Sequence, residues 1–421
     1  MTQKRKDRRG RNLRDGEDQM PDGRYRYRYQ DKNGKRQAVY SWRLVPSDRL
    51  PAGKRESPSL REKEQSIRED SHDGIDGKSA AKLTLNDTFS LYMSTRRELK
   101  ESTRAFYTYM YQKYVSKELG IRKLSDIRYS DVKSFYNSLL EGGLKASSVD
   151  IIHTILRPVF TLAVRDGYIR ANPAANAAED VRKSRMGDKT RRHALTIQEQ
   201  EAFVNFVASS KTYQHWLPLF TFLLGTGCRI GEAAGLRWQD CDFEKSTISI
   251  NHSLLYKPLH GKGYAFHIST PKSSSGWRTV PMLQEVKQAL LEEQHRQLED
   301  GGCAVEVEGY TGFVFTTGKN NLRTPGSVND AIRRICAAYN REETAAAAQE
   351  GRRPVPLRPF SVHNLRHTFC TRFCENESNV KVIQEIMGHS SITTTMNIYA
   401  EVTECRKKEA FNSLQGKLKI L

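Results

Sequence analysis

The 421 residues predict a multidomain α+β protein: a small N-terminal β-sheet domain (1–78), a four-helix domain (83–177), and a mainly α domain with a small antiparallel sheet (193–421). Three observations predict it. Residues 24–42 alternate polar and aromatic side chains with period two on both sides of an Asn-Gly turn, the pattern of a hairpin. From Leu83 onward, apolar residues recur at helical spacing between Ser and Gly punctuation. Beyond Arg192 the helical pattern resumes and is interrupted by short β-rich runs.

Lys4, Arg5, Lys6, Arg8, Arg9, Arg11 and Arg14 crowd the first twenty residues, a composition expected of a disordered, phosphate-binding tail. As a strand, Arg24-Tyr25-Arg26-Tyr27-Arg28-Tyr29 sets three arginines on one face and three tyrosines on the other. Asp31-Lys32-Asn33-Gly34 makes the turn, and the return strand carries Ala38, Tyr40 and Trp42 on one side. Arg24, Arg26, Arg28 and Tyr40 are therefore candidate nucleic-acid contacts, although a merely solvated hairpin has the same pattern. Leu60 to Asp73 reads as a short charged helix, and 73–79 as a linker.

Four helices follow. The first covers about 85–98. Ser102 is placed to cap the second, with Phe106, Met110, Tyr111 and Tyr114 inward. Ser130 is placed to cap a third that stops at Gly142-Gly143, and Ser147 or Ser148 a fourth that kinks at Pro158 and ends at Asp166-Gly167. Asn176 to Arg192 is polar, basic and aperiodic, the composition of an interdomain linker. The last domain opens on a capping box, Thr196-Ile197-Gln198-Glu199. Helices are expected at 214–224 and 284–298, and strands at 247–256, 264–270, 277–282 and 312–315.

A formal charge of +19 calls for a polyanionic partner, nucleic acid first. No run is read as the eighteen or so apolar residues of a membrane helix, and the basic N-terminus lacks the apolar core of a signal peptide, so an intracellular chain with no membrane partner is expected. Seven irregularly spaced cysteines argue against a disulfide framework. His363, His367, Cys370 and Cys374 share a helix face, but ligands spread over so many turns of one helix do not converge on one zinc ion. No metal site is expected. The chain also lacks a G-x-x-x-x-G-K-[ST] phosphate loop, so neither ATP nor another cofactor is expected.

The chemistry gathers in the last seventy residues. Val362, Leu365, Phe369 and Phe373 recur at helical spacing, which puts His363 and Arg366 on one face of a helix. A second helix, 380–387, ends at Gly388, and His389 sits on the turn. Ser390 or Ser391 is placed to cap a third helix bearing Thr394, Thr395 and Tyr399. A phenol with a pKa near ~10 is a poor nucleophile unless cations and proton acceptors surround it. Far upstream, Gly225-Thr226-Gly227-Cys228-Arg229-Ile230-Gly231-Glu232 ends an apolar helix on glycines and starts another at Arg229, with Glu232 one turn on to brace it. Taken singly, each of these residues is ordinary core, surface or cap. Taken in this order and spacing they form a set suited to phosphoryl transfer, which needs positioning and charge neutralisation.

These motifs resemble the tyrosine recombinase (phage integrase) family: an arginine in a G-x-R-x-x-E context, then H-x-x-R, G-H and a tyrosine. The resemblance implies that Arg229 and Arg366 clamp the scissile phosphate, that Tyr399 attacks it, and that His363 and His389 orient it and assist proton transfer. It also implies a catalytic lysine in a β-hairpin between the two arginines, where Lys272 fits with Ser273 to Gly276 as the turn, and Lys272 would protonate the leaving 5'-oxygen. Residues 24–42 resemble the arm-binding domain of integrases from conjugative transposons of Gram-positive bacteria, and 83–177 the family's core-binding domain. The resemblance further implies double-stranded DNA with core-type and arm-type sites, a homotetramer on two duplexes, an accessory excisionase, and a bacterial cytoplasm. Phe411, Leu414, Leu418 and Leu421 form an apolar stripe on a terminal helix, which packs on its own domain or on a neighbouring protomer. Two rivals remain open at this stage. One is a metal-dependent nuclease or transposase using Asp240, Asp242 and Glu244; the other is a non-catalytic DNA-binding regulator.

Overall fold

A computed structural model describes residues 5–31, 34–72, 82–187, 193–258, 263–271 and 276–400. The chain divides into two compact units, 1–189 and 190–421.

The first unit begins with a three-stranded antiparallel sheet: β1 (Glu17–Gln19), β2 (Tyr25–Gln30) and β3 (Arg36–Ser41). Tyr25 and Tyr27 are buried with Leu44 and with Leu60 of α1 (Leu60–His72), and the arginines lie on the opposite face. Asp18, Arg26 and Tyr40 stand in register across the three strands. Of the expected turn, Lys32 and Asn33 lie outside the described residues; Gly34 takes φ +74° and its N–H donates to the Asp31 carbonyl. The expected disordered tail is corrected from residue 5 onward. Asp7 accepts from the Arg9 and Arg11 amides, the Arg11 guanidinium and the Tyr25 hydroxyl, and Glu17, fully buried, pairs with Arg61. The expectation weighed the basic residues alone, and acidic partners a few positions away neutralise and fasten them. The expected linker 73–79 falls outside the described residues.

The helical part of the unit holds α2 (Leu85–Thr95), α3 (Glu101–Tyr114), α4 (Tyr129–Glu141), α5 (Ala146–Arg165) and α6 (Glu179–Gly187). Its core is built from Leu85, Tyr111, Phe135, Tyr136, Ile152, Leu156 and Phe160. Three expected serine caps are corrected: Lys100, Arg128 and Lys145 occupy the N-cap positions, because each helix starts a residue or more before its serine. Phe106 is exposed, not inward. α5 passes through Pro158 as one 20-residue helix. It is long and apolar enough to cross a membrane, contrary to the sequence expectation, and it packs as the core helix of this bundle, with eight residues buried. The expected linker is also corrected. Ala177, Ala178 and Val181 are buried in the bundle core, so its first half is ordered as α6 by three small apolar side chains that periodicity alone does not single out.

The second unit opens with α7 (Ile197–Ser209), whose Thr196–Glu199 capping box forms as expected. α8 (Leu217–Thr226) and α9 (Ile230–Gly235) follow, then β4 (Cys241–Asp242), β5 (Thr247–Ile250), β6 (Ser253–Pro258), β7 (Tyr264–Ser269), β8 (Arg278–Pro281), α10 (Gln284–Glu299), α11 (Pro325–Glu350), α12 (Val362–Asn376), α13 (Val380–Met387) and α14 (392–400). The strands form two small sheets, β4-β5-β8 and β6-β7. The expected strand 247–256 is thus split at Asn251-His252, where the buried His252 ring bonds to the Gly235 carbonyl. Residues 312–315 form an isolated bridge, Phe313 with Arg237, instead of a strand, because the partner segment 236–238 is irregular. The 26-residue α11 was not anticipated. Phe203, Phe220, Phe222, Phe315 and Leu365 centre a core that fixes α7, α8 and α12 around the site.

Candidate functional site

The site is assembled from the ends of helices. α8 ends at Gly227 with φ +62°, and α13 ends at Gly388 with φ +61°, both left-handed caps that glycine adopts without steric cost. Gly227 is constrained in space as well: a Cβ there would lie 2.4 Å from Phe369 Cδ1. The backbone carbonyls at these two turns receive the arginines. Arg366, buried on α12, donates through Nη1 to the Gly227 carbonyl and through Nη2 to the Met387 carbonyl, both at 2.6 Å. Arg229, at the N-cap of α9, donates through Nη2 to the Gly388 carbonyl at 3.1 Å and through Nη1 to Glu232 Oε1 at 2.8 Å. The turn at the end of α13 therefore holds both arginines, and the Gly227 turn holds Arg366.

Each Nη carries a second N–H, so both guanidinium groups keep donors for an external oxyanion. Burial first, then the nearby Arg229 charge, pulls the Arg366 pKa down to about 10, which still leaves it cationic at neutral pH. Glu232 is buried, which by itself raises a carboxyl pKa; the hydrogen bond and charge of Arg278, with Arg229 beside it, overcome that and hold it at about 2. Arg278 is the residue that the sequence reading missed. From β8 it donates to both Glu232 oxygens, at 3.2 and 2.7 Å, and through Nε to the Ile386 carbonyl at 2.8 Å. Its only sequence signal was a position at the start of an expected strand.

His389 is buried directly after Gly388, and its Nδ1 lies 2.9 Å from the hydroxyl of Thr395, which is fully buried on α14. Burial, then the charges of Arg366, Arg229 and Arg278, lower its pKa to about 4, so the ring is neutral at physiological pH. His363 is exposed on α12 and is close enough for its charge to bear on His389. Ser391 caps α14 as expected, its Oγ accepting from the Thr393 amide. Tyr399 is half-buried on α14 and packs with Ile398 against Cys370, Cys374, Ile383 and Met387. The structure thus brings together Arg229, Glu232, Arg366 and His389, with His363 near them, and seats Tyr399 on the same pair of helices, α12 and α13.

Lys272 lies outside the described residues. Among the described residues, β7 pairs with β6 and β8 with β5. The terminal stripe Phe411, Leu414, Leu418 and Leu421 also lies outside the described residues. Asp240 accepts from Arg237 and Asn251, and Asp242 from the Lys245 amide, so two of the three carboxylates of the rival nuclease reading are engaged in local hydrogen bonds. On the N-terminal sheet, Arg26 is tied to Asp18, Arg24 bonds Asp22 and lies over the Tyr40 ring at 5.4 Å, and Arg28 is exposed, with its guanidinium 3.6 Å from Asp18.

A profile described as the phage integrase family matches residues 193–406, and one described as the DNA-binding domain of Tn916 integrase matches residues 1–71. A third, a phage integrase N-terminal SAM-like domain, matches residues 84–140. The transposase from transposon Tn916 of Enterococcus faecalis is 36% identical over 405 residues, covering 96% of this chain and 95% of its own. The chain belongs to the phage integrase family, the tyrosine recombinases. This recombinase is also 27% identical, over 79% of its length and 83% of the relative's, to a XerC-like tyrosine recombinase of Caldanaerobacter subterraneus. Among solved structures, the Tn1549 transposon integrase in complex with transposon right end DNA matches with a TM-score of 0.67 and 29% identity, over 78% of this chain and 99% of that one. The recombinase is a site-specific enzyme of a mobile element, catalysing integration and excision by breaking and rejoining DNA strands.

Proposed function

We propose that Tyr399 is the nucleophile of this recombinase and that Arg229 and Arg366 are the clamp for the scissile phosphate. The observation that carries the reading is the pair of glycine turns, which fix two guanidinium groups near enough to the buried His389 for their charges to act on it. A phosphate between them has its charge balanced by two cations whose positions are fixed before it arrives, so little reorganisation is required during the reaction. Tyr399 Oη then forms a bond to phosphorus, and the bond to the 5'-oxygen breaks. His389 and His363 orient the phosphate and assist removal of the phenolic proton, and Lys272 gives a proton to the leaving oxygen. The 3'-phosphotyrosyl link retains the energy of the phosphodiester, so the 5'-hydroxyl of a new partner strand can reverse the step. Glu232 braces Arg229.

The N-terminal sheet is the arm-site module, with Arg24, Arg26, Arg28 and Tyr40 as contacts, and the helical part is the core-site module. The active species is a homotetramer on two duplexes in a bacterial cytoplasm, with an excisionase biasing its direction. Charge supports the DNA reading: +19 over the chain favours a polyanion without specifying its sequence. The test is incubation of the wild type and of Tyr399→Phe with a nicked duplex from the element's end, in EDTA. An SDS-resistant protein–DNA adduct that is lost in the variant is expected. An adduct that persists in Tyr399→Phe would move the nucleophile elsewhere.

A further inference from the structure

Arg278 makes more side-chain hydrogen bonds in the site than either candidate clamp arginine, so fewer of its N–H donors are left for a phosphate than Arg229 or Arg366 keeps. Its side chain is 5% exposed, and Arg366 is as deeply buried. All three of its nitrogens are used. Nε donates to the Ile386 carbonyl at 2.8 Å, Nη1 to Glu232 Oε1 at 3.2 Å, and Nη2 to Glu232 Oε2 at 2.7 Å and to Cys228 Sγ at 3.8 Å. These partners belong to two separate pieces of the site. Cys228 and Glu232 flank Arg229 around the start of α9; Ile386 lies in the last turn of α13, two residues before Gly388, whose carbonyl takes Arg229, and three before His389. Arg278 itself begins β8, the first strand after the connection that carries Lys272.

We propose that Arg278 is a positioning residue for strand cleavage, acting through Glu232 on Arg229 and through the end of α13 on His389. This rests on the phosphate-clamp reading above. Glu232 Oε1 is shared between Arg229 Nη1 and Arg278 Nη1, so the carboxylate cannot rotate to follow one arginine without losing the other. Removing Arg278 leaves the buried carboxylate with Arg229 as its remaining guanidinium partner. Arg229 is then drawn toward charge neutralisation inside the protein and away from the phosphate. The same loss frees the Ile386 carbonyl and loosens the turn that presents both Gly388 and His389. One planar, five-donor fork can satisfy this set; the lysine ammonium has donors but neither the reach nor the fork geometry.

The test measures single-turnover adduct formation on the nicked duplex for the wild type, Arg278→Lys, Arg278→Gln, Glu232→Gln and the double variant Arg278→Gln/Glu232→Gln. Duplex binding and thermal melting are measured in parallel, and rates are taken per folded molecule at temperatures well below each melting midpoint. Arg278→Lys and Arg278→Gln are expected to bind DNA within about 3-fold of the wild type and to form adduct about 10- to 100-fold more slowly. The double variant is expected to be little slower than the slower single variant, because both act through one bridge. Rates of Arg278→Gln should also gain an acid limb that the wild type lacks, since Glu232 without Arg278 is protonated at higher pH. If Arg278→Lys cleaves at the wild-type rate per folded molecule, or the two losses simply multiply with no change in pH profile, the positioning role is overturned. A wild type whose adduct survives Tyr399→Phe would instead overturn the underlying reading, so the two failures are separable.

Discussion

Arg366 donates 2.6 Å to the carbonyl of Gly227, a residue 139 positions earlier in the chain, and so locks α12 to the C-terminus of α8. The bond depends on the left-handed conformation that turns this carbonyl toward the guanidinium. Gly227→Ala tests the dependence. A Cβ incurs the left-handed penalty and meets the Phe369 ring at 2.4 Å, so a loss of about 2–4 kcal/mol is expected. Denaturant melts of the two proteins measure it, and an unchanged midpoint would show that the turn relaxes freely.

Glu232 gives a pH signature. Its pKa falls from 4.5 to about 2 on folding, so it contributes stability that is present above pH 4.5 and lost as pH falls toward 2. The contribution is on the order of 3 kcal/mol. Glu232→Gln should therefore be destabilised at neutral pH, by about 3–5 kcal/mol because a buried Arg278 is left without its partner. The gap from wild type should narrow as the pH drops below 4.5. Acid titration of both proteins by circular dichroism checks this; a gap of constant size across that window would contradict the assignment.

Much of the site was legible in the sequence because its parts are local. Gly227-Cys228-Arg229, the helical phase of His363 and Arg366, and Gly388-His389 are each a few residues that carry their own turn or helix geometry. What was not legible depends on partners far away. Arg278 reads as a strand residue until Glu232 and Ile386 are brought to it. Two β-rich runs flank Lys272, and nothing in those runs says that each pairs with a different upstream strand. In the fold, helix existence was clear while helix starts were not, since Ser102, Ser130 and Ser147 lie inside first turns whose caps are lysine or arginine. The supposed basic tail shows the same limit: Asp7 and Asp18 fasten arginines through contacts that composition does not contain.

His389 should remain neutral through the working range. Its pKa drops from 6.5 to about 4, so it supports folding above pH 6.5 and withdraws that support as pH falls from 6.5 through 4. An NMR titration, with the signal assigned by its loss in His389→Gln, should give a midpoint near 4. A midpoint at the ordinary histidine value would mean the ring is solvated and the arginines are elsewhere. Thr395→Val keeps the volume but removes the hydroxyl at 2.9 Å, leaving Nδ1 without its partner. A cost of about 1–3 kcal/mol in stability and slower adduct formation are expected.

The N-terminal sheet makes a sharper prediction than its charge count suggests. Arg26 is bonded to Asp18 across the strand pair, so its charge is already balanced, whereas Arg28 is 56% exposed with Asp18 no nearer than 3.6 Å. Neutralising a cation that contacts a phosphate lowers the slope of log affinity against log salt by about one. Arg28→Ala should show that decrease on duplex DNA. Arg26→Ala should change the slope less, because a guanidinium already bonded to Asp18 is not free to displace a phosphate counterion. Binding isotherms for the full-length protein at several salt concentrations measure both slopes. If Arg26→Ala and Arg28→Ala lower the slope equally, Asp18 does not hold Arg26 in solution, and the three arginines act as one undivided basic face.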